Sequence, residues 1–165
     1  PYSAWHKVFS VNVTGLFHLT QNLLPLLEQN ALTESPSKIL NVGSVMGSSP
    51  YGDGAYSYSA SKSAVHHLTK ILAKELAGKR ITVNALAPGP FESKMTTFAM
   101  NSNQKRKSVS ESVPLGRVGL YDDIAAATLY ICGEGGNYIT GAIIPIDGGI
   151  HVSTGPELFE KSRKL

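Results

Sequence analysis

A chain of 165 residues with 42% hydrophobic and 16% charged residues can bury a sizeable core and is too apolar to be disordered over most of its length. Its net charge of +3 is largely local, without the broad basic face and interleaved aromatic residues of a nucleic-acid binder. No apolar run approaches the roughly 18–20 residues that span a membrane. We therefore expect neither a nucleic-acid nor a membrane partner.

The first elements are a helix and a strand. Apolar residues at helical spacing predict a long, mostly buried helix from Ala4 to Glu28. After a polar connector, a short apolar run predicts a buried strand at Lys38–Ser44. The glycine and serine residues of Gly47–Gly54 then predict a loop.

Helical spacing returns in the middle of the chain. It predicts a second helix at Tyr56–Ala77, with Gly78 as its C-terminal cap. Arg80–Leu86 is predicted as a second strand, which Pro88-Gly89-Pro90 ends. Phe91–Val113 is polar and weakly patterned, which indicates a mobile flap with one or two short helices.

The last predicted elements are a helix at Tyr121–Cys132, a strand at Ala142–Ile146 and a flexible tail at 153–165. The single cysteine, Cys132, is expected to be buried in that helix. One cysteine cannot form an intramolecular disulfide, which favours a reducing compartment, and we expect a cytoplasmic protein, with an organelle lumen as the alternative.

Alternating helices and strands predict an α/β fold with a parallel sheet covered by helices. Three strands make a thin sheet, and complete α/β domains commonly run to about 200–250 residues. We therefore expect residues 4–152 to be the C-terminal part of one larger domain.

Three residues of this pattern carry chemistry. Tyr58 and Lys62 lie at i and i+4 on one predicted helix, so their side chains share a face. A free phenol has a pKa of about 10, and a neighbouring ammonium stabilises its phenolate, which makes the phenol a better proton donor. Ser44 ends a predicted strand, where a fixed hydroxyl can hydrogen-bond a substrate carbonyl. Tyr51 and Tyr56 are competing phenols, but neither has a lysine four residues later.

Five segments resemble the short-chain dehydrogenase/reductase family, in that family's order and spacing. Within it they are most similar to 3-oxoacyl-[acyl-carrier-protein] reductases, including the rhamnolipid-synthesis type. The segments are Phe9-Ser10-Val11-Asn12-Val13, Val42-Gly43-Ser44-Val45, Tyr58-Ser59-Ala60-Ser61-Lys62, Ile81–Gly89 and Ile146-Asp147-Gly148-Gly149.

The resemblance implies catalytic roles. Ser44 would polarise a carbonyl, Tyr58 would donate the proton, and Lys62 would bind the nicotinamide ribose and assist the phenol. Asn12 would hold a water that links Lys62 to solvent.

The resemblance also implies cofactor contacts beside the nicotinamide, at Pro88, Gly89, Phe91 and Ser93. Family members usually carry threonine at the position of Ser93, which keeps the hydroxyl and lacks the methyl group. Asn84 and Asp147 are expected to fix backbone near the site. No metal site is expected.

The resemblance further implies a partial Rossmann-like, doubly wound sheet and a nicotinamide cofactor, with NADP(H) favoured over NAD(H). The family's N-terminal strands, with the Gly-rich turn that holds the pyrophosphate and the residue that selects the cofactor, are absent from the sequence. The expected substrate is a small carbonyl or alcohol, best a 3-oxoacyl thioester. A homo-oligomer, a dimer or tetramer, is expected for the full-length protein.

Two alternatives remain open. The chain could be an inactive fragment that acts only as an oligomerisation or interaction module through its long helices. A family epimerase or dehydratase shares the Tyr-x-x-x-Lys pattern, but the compact C-terminus, which has no added substrate domain, argues against it.

Overall fold

The computed structural model describes residues 1–50, 54–94 and 96–153. Tyr51, part of the predicted Gly47–Gly54 loop, residue 95 of the predicted flap and all of the predicted tail except Ser153 lie outside the described residues. Among the helices that are described, none is long and apolar enough to cross a membrane.

Among the described residues the sheet has three parallel strands, as the sequence predicts, and their order is β1–β2–β3. The strands are β1 (Ser37–Val42), β2 (Ile81–Pro88) and β3 (Ile143–Ile146). The helices are α1 (Tyr2–Phe9), α2 (Gly15–Gln29), α3 (Tyr56–Leu76), α4 (Thr97–Met100), α5 (Asn103–Glu111) and α6 (Tyr121–Cys132).

Alternating side chains of β1 place helices on both faces of the sheet. Asn41 donates to the Thr69 hydroxyl of α3 at 2.9 Å. Lys38 points the opposite way and donates to Asn137, beyond the end of α6, at 2.7 Å. The doubly covered α/β sheet is therefore confirmed.

The hydrophobic core lies between α3 and the sheet. Apolar residues one or two turns apart on α3 pack against the first half of β2, which is buried along nearly its whole length. This core consists of Leu72, Ala73, Leu76, Ile81 and Val83. Side chains of α2, including Leu24 and Leu27, pack against its margin. The core thus fixes α3 rigidly over the strands whose ends carry the candidate site.

The N-terminal helix differs from the prediction. The chain is helical from Tyr2 to Gln29, but a π-helical segment at Ser10–Thr14 separates α1 from α2. Only Thr20 of this stretch is buried, and apolar residues such as Leu26, at 62% exposure, face outward. The expectation of a mostly buried helix is wrong, because only one side of α2 reaches the core.

Two smaller expectations are also wrong. Gly78 does not cap α3 with a left-handed residue, because the chain continues through a 3-10 turn at Ala77–Lys79 and Arg80 adopts the positive φ of 59°. Cys132 is exposed at the end of α6. The apolar spacing of α6 correctly gave the helix but not the side on which its last residue lies.

Candidate active site

The carboxyl ends of the three parallel strands bring the predicted site segments to one edge of the sheet. Ser44 follows β1, Gly89 follows β2 and Asp147 follows β3. Backbone hydrogen bonds extend the pairing of neighbouring strands beyond the ends of β1 and β2. Gly43 N–H donates to the Leu86 carbonyl at 2.8 Å, and Gly89 N–H donates to the Ile146 carbonyl at 3.0 Å. Ligands of open α/β sheets bind at this edge.

Ser44 is buried and begins the 3-10 turn Val45–Gly47. Its Oγ accepts a hydrogen bond from the Met46 backbone N–H at 3.2 Å, which caps the turn. The loop then contacts α3, because the Ser63 hydroxyl donates to the Gly47 carbonyl at 2.7 Å. The predicted strand-end serine is therefore held next to the first turns of α3.

Tyr58 and Lys62 share one face of α3, as their spacing predicts. The Lys62 ammonium nitrogen lies 5.6 Å from the centre of the Tyr58 ring, within range of a cation–π interaction. The same Nζ donates to the Val42 carbonyl at 2.8 Å, two residues before Ser44 in the chain. Tyr58 is half-buried, whereas the competing Tyr56 is 78% exposed.

Burial sets the electrostatics of Lys62. Loss of solvent lowers the pKa of the Lys62 ammonium from its ordinary value. A half-buried cation interacts more strongly with nearby dipoles and phenolate oxygens than one in bulk water does, because the local dielectric is lower. Lys62 thus links the Tyr58 ring to the strand end that carries Ser44.

Asn12 reaches the same helix from the π-helical segment. Its side-chain amide donates to the Ser61 hydroxyl at 3.0 Å, and Ser61 donates to the Tyr58 carbonyl at 2.7 Å. The amide thus contacts the residue adjacent to Lys62 rather than the ammonium itself. π-Helical turns inside α-helices occur frequently at functional sites, and the role of Asn12 at this site stays a prediction.

The residues after β2 make structural contacts. A Cβ on Gly89 would lie 2.8 Å from Cα and Cβ of Asp147, so close packing of the strand ends requires glycine there. The Phe91 ring lies over Gly119, where an added Cβ would come within 2.3 Å of it. Ser93 is exposed, and its Oγ lies 3.2 Å from the Thr96 hydroxyl in a tight turn.

The two expected structural residues do fix backbone. Asn84 is fully enclosed, donates to the Ile139 carbonyl at 2.7 Å and accepts from Ala142 N–H at 3.0 Å. Asp147 is buried and accepts from the N–H groups of Gly149 at 3.0 Å and His151 at 2.7 Å. These bonds shape the segments that lead into and out of β3.

His66 was not predicted as a site residue, yet it is buried on α3 against the Ser44 loop. Ser44 N–H donates to His66 Nε2 at 3.4 Å. The sequence feature that could have indicated a buried ring here is the pair Gly43 and Gly47 on either side of Ser44. A side chain on either glycine would clash with the His66 imidazole.

A short-chain dehydrogenase family model, described as enoyl-(acyl carrier protein) reductase, matches residues 1–151. The chain belongs to the short-chain dehydrogenase/reductase family. That assignment agrees with the parallel sheet and with the Ser44, Tyr58 and Lys62 arrangement at its carboxyl edge.

One curated relative and two solved structures within the short-chain dehydrogenase/reductase family illustrate the likeness. The rhamnolipids biosynthesis 3-oxoacyl-[acyl-carrier-protein] reductase of Pseudomonas aeruginosa is 47% identical over 92% of this chain and 59% of its own length. The RhlG/NADP active-site complex from the same organism has a TM-score of 0.88 at 47% identity, covering 92% of this chain and 59% of that one. A 3-ketoacyl-(acyl-carrier-protein) reductase from Brucella melitensis complexed with NADH has a TM-score of 0.82 at 34% identity, with the same two coverages. The chain thus spans 59% of the length of these family members.

Proposed function

We propose that residues 4–152 form the catalytic part of one NAD(P)-binding domain, in an enzyme that interconverts a carbonyl and a secondary alcohol. The observation that carries the proposal is the position of the Lys62 ammonium, 5.6 Å from the centre of the Tyr58 ring and 2.8 Å from the Val42 carbonyl at the strand end that leads to Ser44. A proton donor, a cation and a hydroxyl at one sheet edge can protonate and stabilise a carbonyl oxygen while a cofactor supplies the hydride.

The donor set of Lys62 fits a nicotinamide cofactor. An ammonium has three N–H donors, and the Val42 carbonyl takes one of them, which leaves two for ribose hydroxyls. When bound, the nicotinamide would supply a hydride to the carbonyl carbon. The Tyr58 hydroxyl would give its proton to the carbonyl oxygen, and the Ser44 hydroxyl would hydrogen-bond that oxygen as negative charge develops on it.

The remaining predicted site residues are assigned supporting roles. Asn12 would hold the water that links Lys62 to solvent, and its contact with Ser61 keeps it beside that helical turn. Pro88, Gly89, Phe91 and Ser93 would border the nicotinamide, which is consistent with their place at the carboxyl edge of β2.

For the substrate we propose a 3-oxoacyl thioester, and for the cofactor NADP(H) in preference to NAD(H). The support is similarity to the rhamnolipids biosynthesis 3-oxoacyl-[acyl-carrier-protein] reductase and to a structure that contains NADP. The Brucella melitensis neighbour contains NADH, so cofactor choice needs its own measurement.

The exposed apolar surface of the π-helical segment and α2 favours a second candidate, an oligomerisation or interaction module. Outward-facing Val11, Leu19 and Leu26 are each more than 60% exposed. We propose that the full-length protein is a homo-oligomer of two or four chains, in which case this surface serves the enzyme as well. Titration of this 165-residue chain with NADPH and NADH discriminates between the two candidates. Micromolar binding supports the enzyme, and absent binding supports the interaction module.

The test of the proposed function compares Tyr58→Phe with Tyr56→Phe in the full-length protein. We expect oxidation of NADPH by a 3-oxoacyl thioester to slow by about 10²–10⁴-fold in Tyr58→Phe, because the variant removes the general acid. Tyr56→Phe removes an exposed hydroxyl two residues away and should stay within about twofold of the parent. Near-parental rates in Tyr58→Phe would refute the assignment.

A further inference from the structure

His66 is a buried titratable residue for which the proposed reaction has no use. Its imidazole lies between α3 and the loop that carries Ser44. Nε2 accepts from the Ser44 backbone N–H at 3.4 Å, and Nδ1 lies 3.2 Å from the Ser48 hydroxyl. One ring thus contacts both ends of the Ser44–Ser48 turn.

The contact with the Ser44 backbone fixes the tautomer of His66. A backbone N–H can only donate, so Nε2 must be the unprotonated nitrogen and Nδ1 must carry the hydrogen. The Ser48 hydroxyl then accepts from Nδ1. His66 therefore cannot act as a base toward Ser48, which excludes an activated serine nucleophile at this turn.

The surroundings of His66 favour the neutral ring. Burial lowers the pKa of the imidazole, and the positive charges of Lys62 and Lys70 lower it further. A protonated ring would present an N–H to the Ser44 N–H, which would replace a hydrogen bond by two opposed donors.

Two glycines give the ring its space. A Cβ on Gly43 would lie 2.2 Å from His66 Nε2, and a Cβ on Gly47 would lie 2.7 Å from His66 Cε1. The Gly47 Cβ would also approach the Lys62 carbonyl oxygen at 2.8 Å. The absence of side chains at Gly43 and Gly47 thus leaves room for the His66 imidazole to pack against the turn that begins at Ser44.

We propose that His66, as the neutral Nδ1–H tautomer, is a positioning residue that holds the Ser44 backbone against α3. This role rests on the proposed function, because it matters for turnover only if the Ser44 hydroxyl meets the substrate carbonyl. His66 contacts Ser44 through the Ser44 backbone N–H, so its effect on the carbonyl oxygen would pass through the position of Ser44.

The experiment uses the full-length protein with His66→Leu and His66→Gln. Leucine has a similar size but no acceptor, whereas the glutamine amide oxygen can accept at the place of Nε2 and its NH₂ can donate. We expect amide hydrogen exchange at Ser44 to quicken by about tenfold or more in His66→Leu, since a buried N–H loses its acceptor, and to be largely restored in His66→Gln. The kcat for a 3-oxoacyl thioester should fall in His66→Leu and be largely restored in His66→Gln, with KM for the cofactor unchanged.

A third measurement needs no variant. Imidazole ¹⁵N chemical shifts of the parent protein should show a protonated Nδ1 and an unprotonated Nε2 at His66, and the opposite tautomer would overturn the inference. Equal Ser44 exchange in the parent and His66→Leu, in a protein that reduces carbonyls, would also overturn it while leaving the function intact. The expected exchange pattern in a protein that reduces no carbonyl would refute the function and support the positioning of Ser44.

Discussion

Lys62 connects helix α3 to the end of β1 in the candidate site, because its ammonium lies beside the Tyr58 ring and donates to the Val42 carbonyl. The i, i+4 spacing was enough to predict its neighbour Tyr58, because helix geometry alone puts both side chains on one face. The hydrogen bond to the Val42 carbonyl could not be predicted, since it depends on how far α3 slides along the sheet. His66 was missed for the same reason: the adjacent His66 and His67 face different directions, and only packing reveals which one is buried.

A lysine pair on α3 separates the role of the Lys62 charge from a general effect of helix charge. We expect Lys62→Met in the full-length protein to lower kcat/KM by about 10²-fold or more, because it removes both the cation beside the Tyr58 ring and the proposed ribose donor. Lys74→Met, at an exposed position of the same helix, should leave kcat/KM within about twofold. Steady-state kinetics with NADPH and a 3-oxoacyl thioester measures both, and equal effects would contradict a specific role for Lys62.

At the scale of elements, the strands and the longer helices followed from the hydrophobic pattern, and α6 has the predicted bounds. The π-helical segment at Ser10–Thr14 was not predictable, because one wider turn barely changes the spacing of apolar residues. The end of α3 was misjudged at Gly78 because the 3-10 turn carries the helix past it and Arg80 takes the left-handed conformation.

The approach of the Ser44 loop to α3 makes a testable difference between two glycines. We expect Gly47→Ala to destabilise the full-length protein by about 1–3 kcal/mol and to lower kcat, because its Cβ would lie 2.8 Å from the Lys62 backbone, which cannot rotate away. At Gly78 an added Cβ meets nothing within 4 Å, so Gly78→Ala should be neutral or slightly stabilising. Urea unfolding measures both, and an unchanged midpoint for Gly47→Ala would mean that the loop is not tightly packed on the helix.

At the scale of the whole molecule, the sequence identified apolar faces but not what covers them. Helical spacing between Ala4 and Glu28 is real, yet most of α1 and α2 is exposed in this chain. Periodicity reports that one side of a helix is apolar, and burial depends on which other segments or chains pack there. The same limit explains Cys132, which ends an apolar helix on its solvent side.

The relatives that match this chain are longer than it is, and the chain spans 59% of their length. We therefore propose the complete reaction for the full-length protein. Its substrate and cofactor preferences are properties to be measured there.

Transfer of deuterium from labelled NADPH tests whether hydride transfer is coupled to proton donation by Tyr58. The full-length protein is mixed with a 3-oxoacyl thioester and NADPH deuterated at the reactive C4 position, and the thioester product is analysed by mass spectrometry. We expect a 3-hydroxyacyl thioester with one deuterium on its hydroxyl-bearing carbon. The parent and Tyr56→Phe should form it at similar rates, and Tyr58→Phe about 10²–10⁴-fold more slowly. A product without deuterium, or equal rates in Tyr58→Phe and the parent, would contradict proton donation by Tyr58 coupled to hydride transfer.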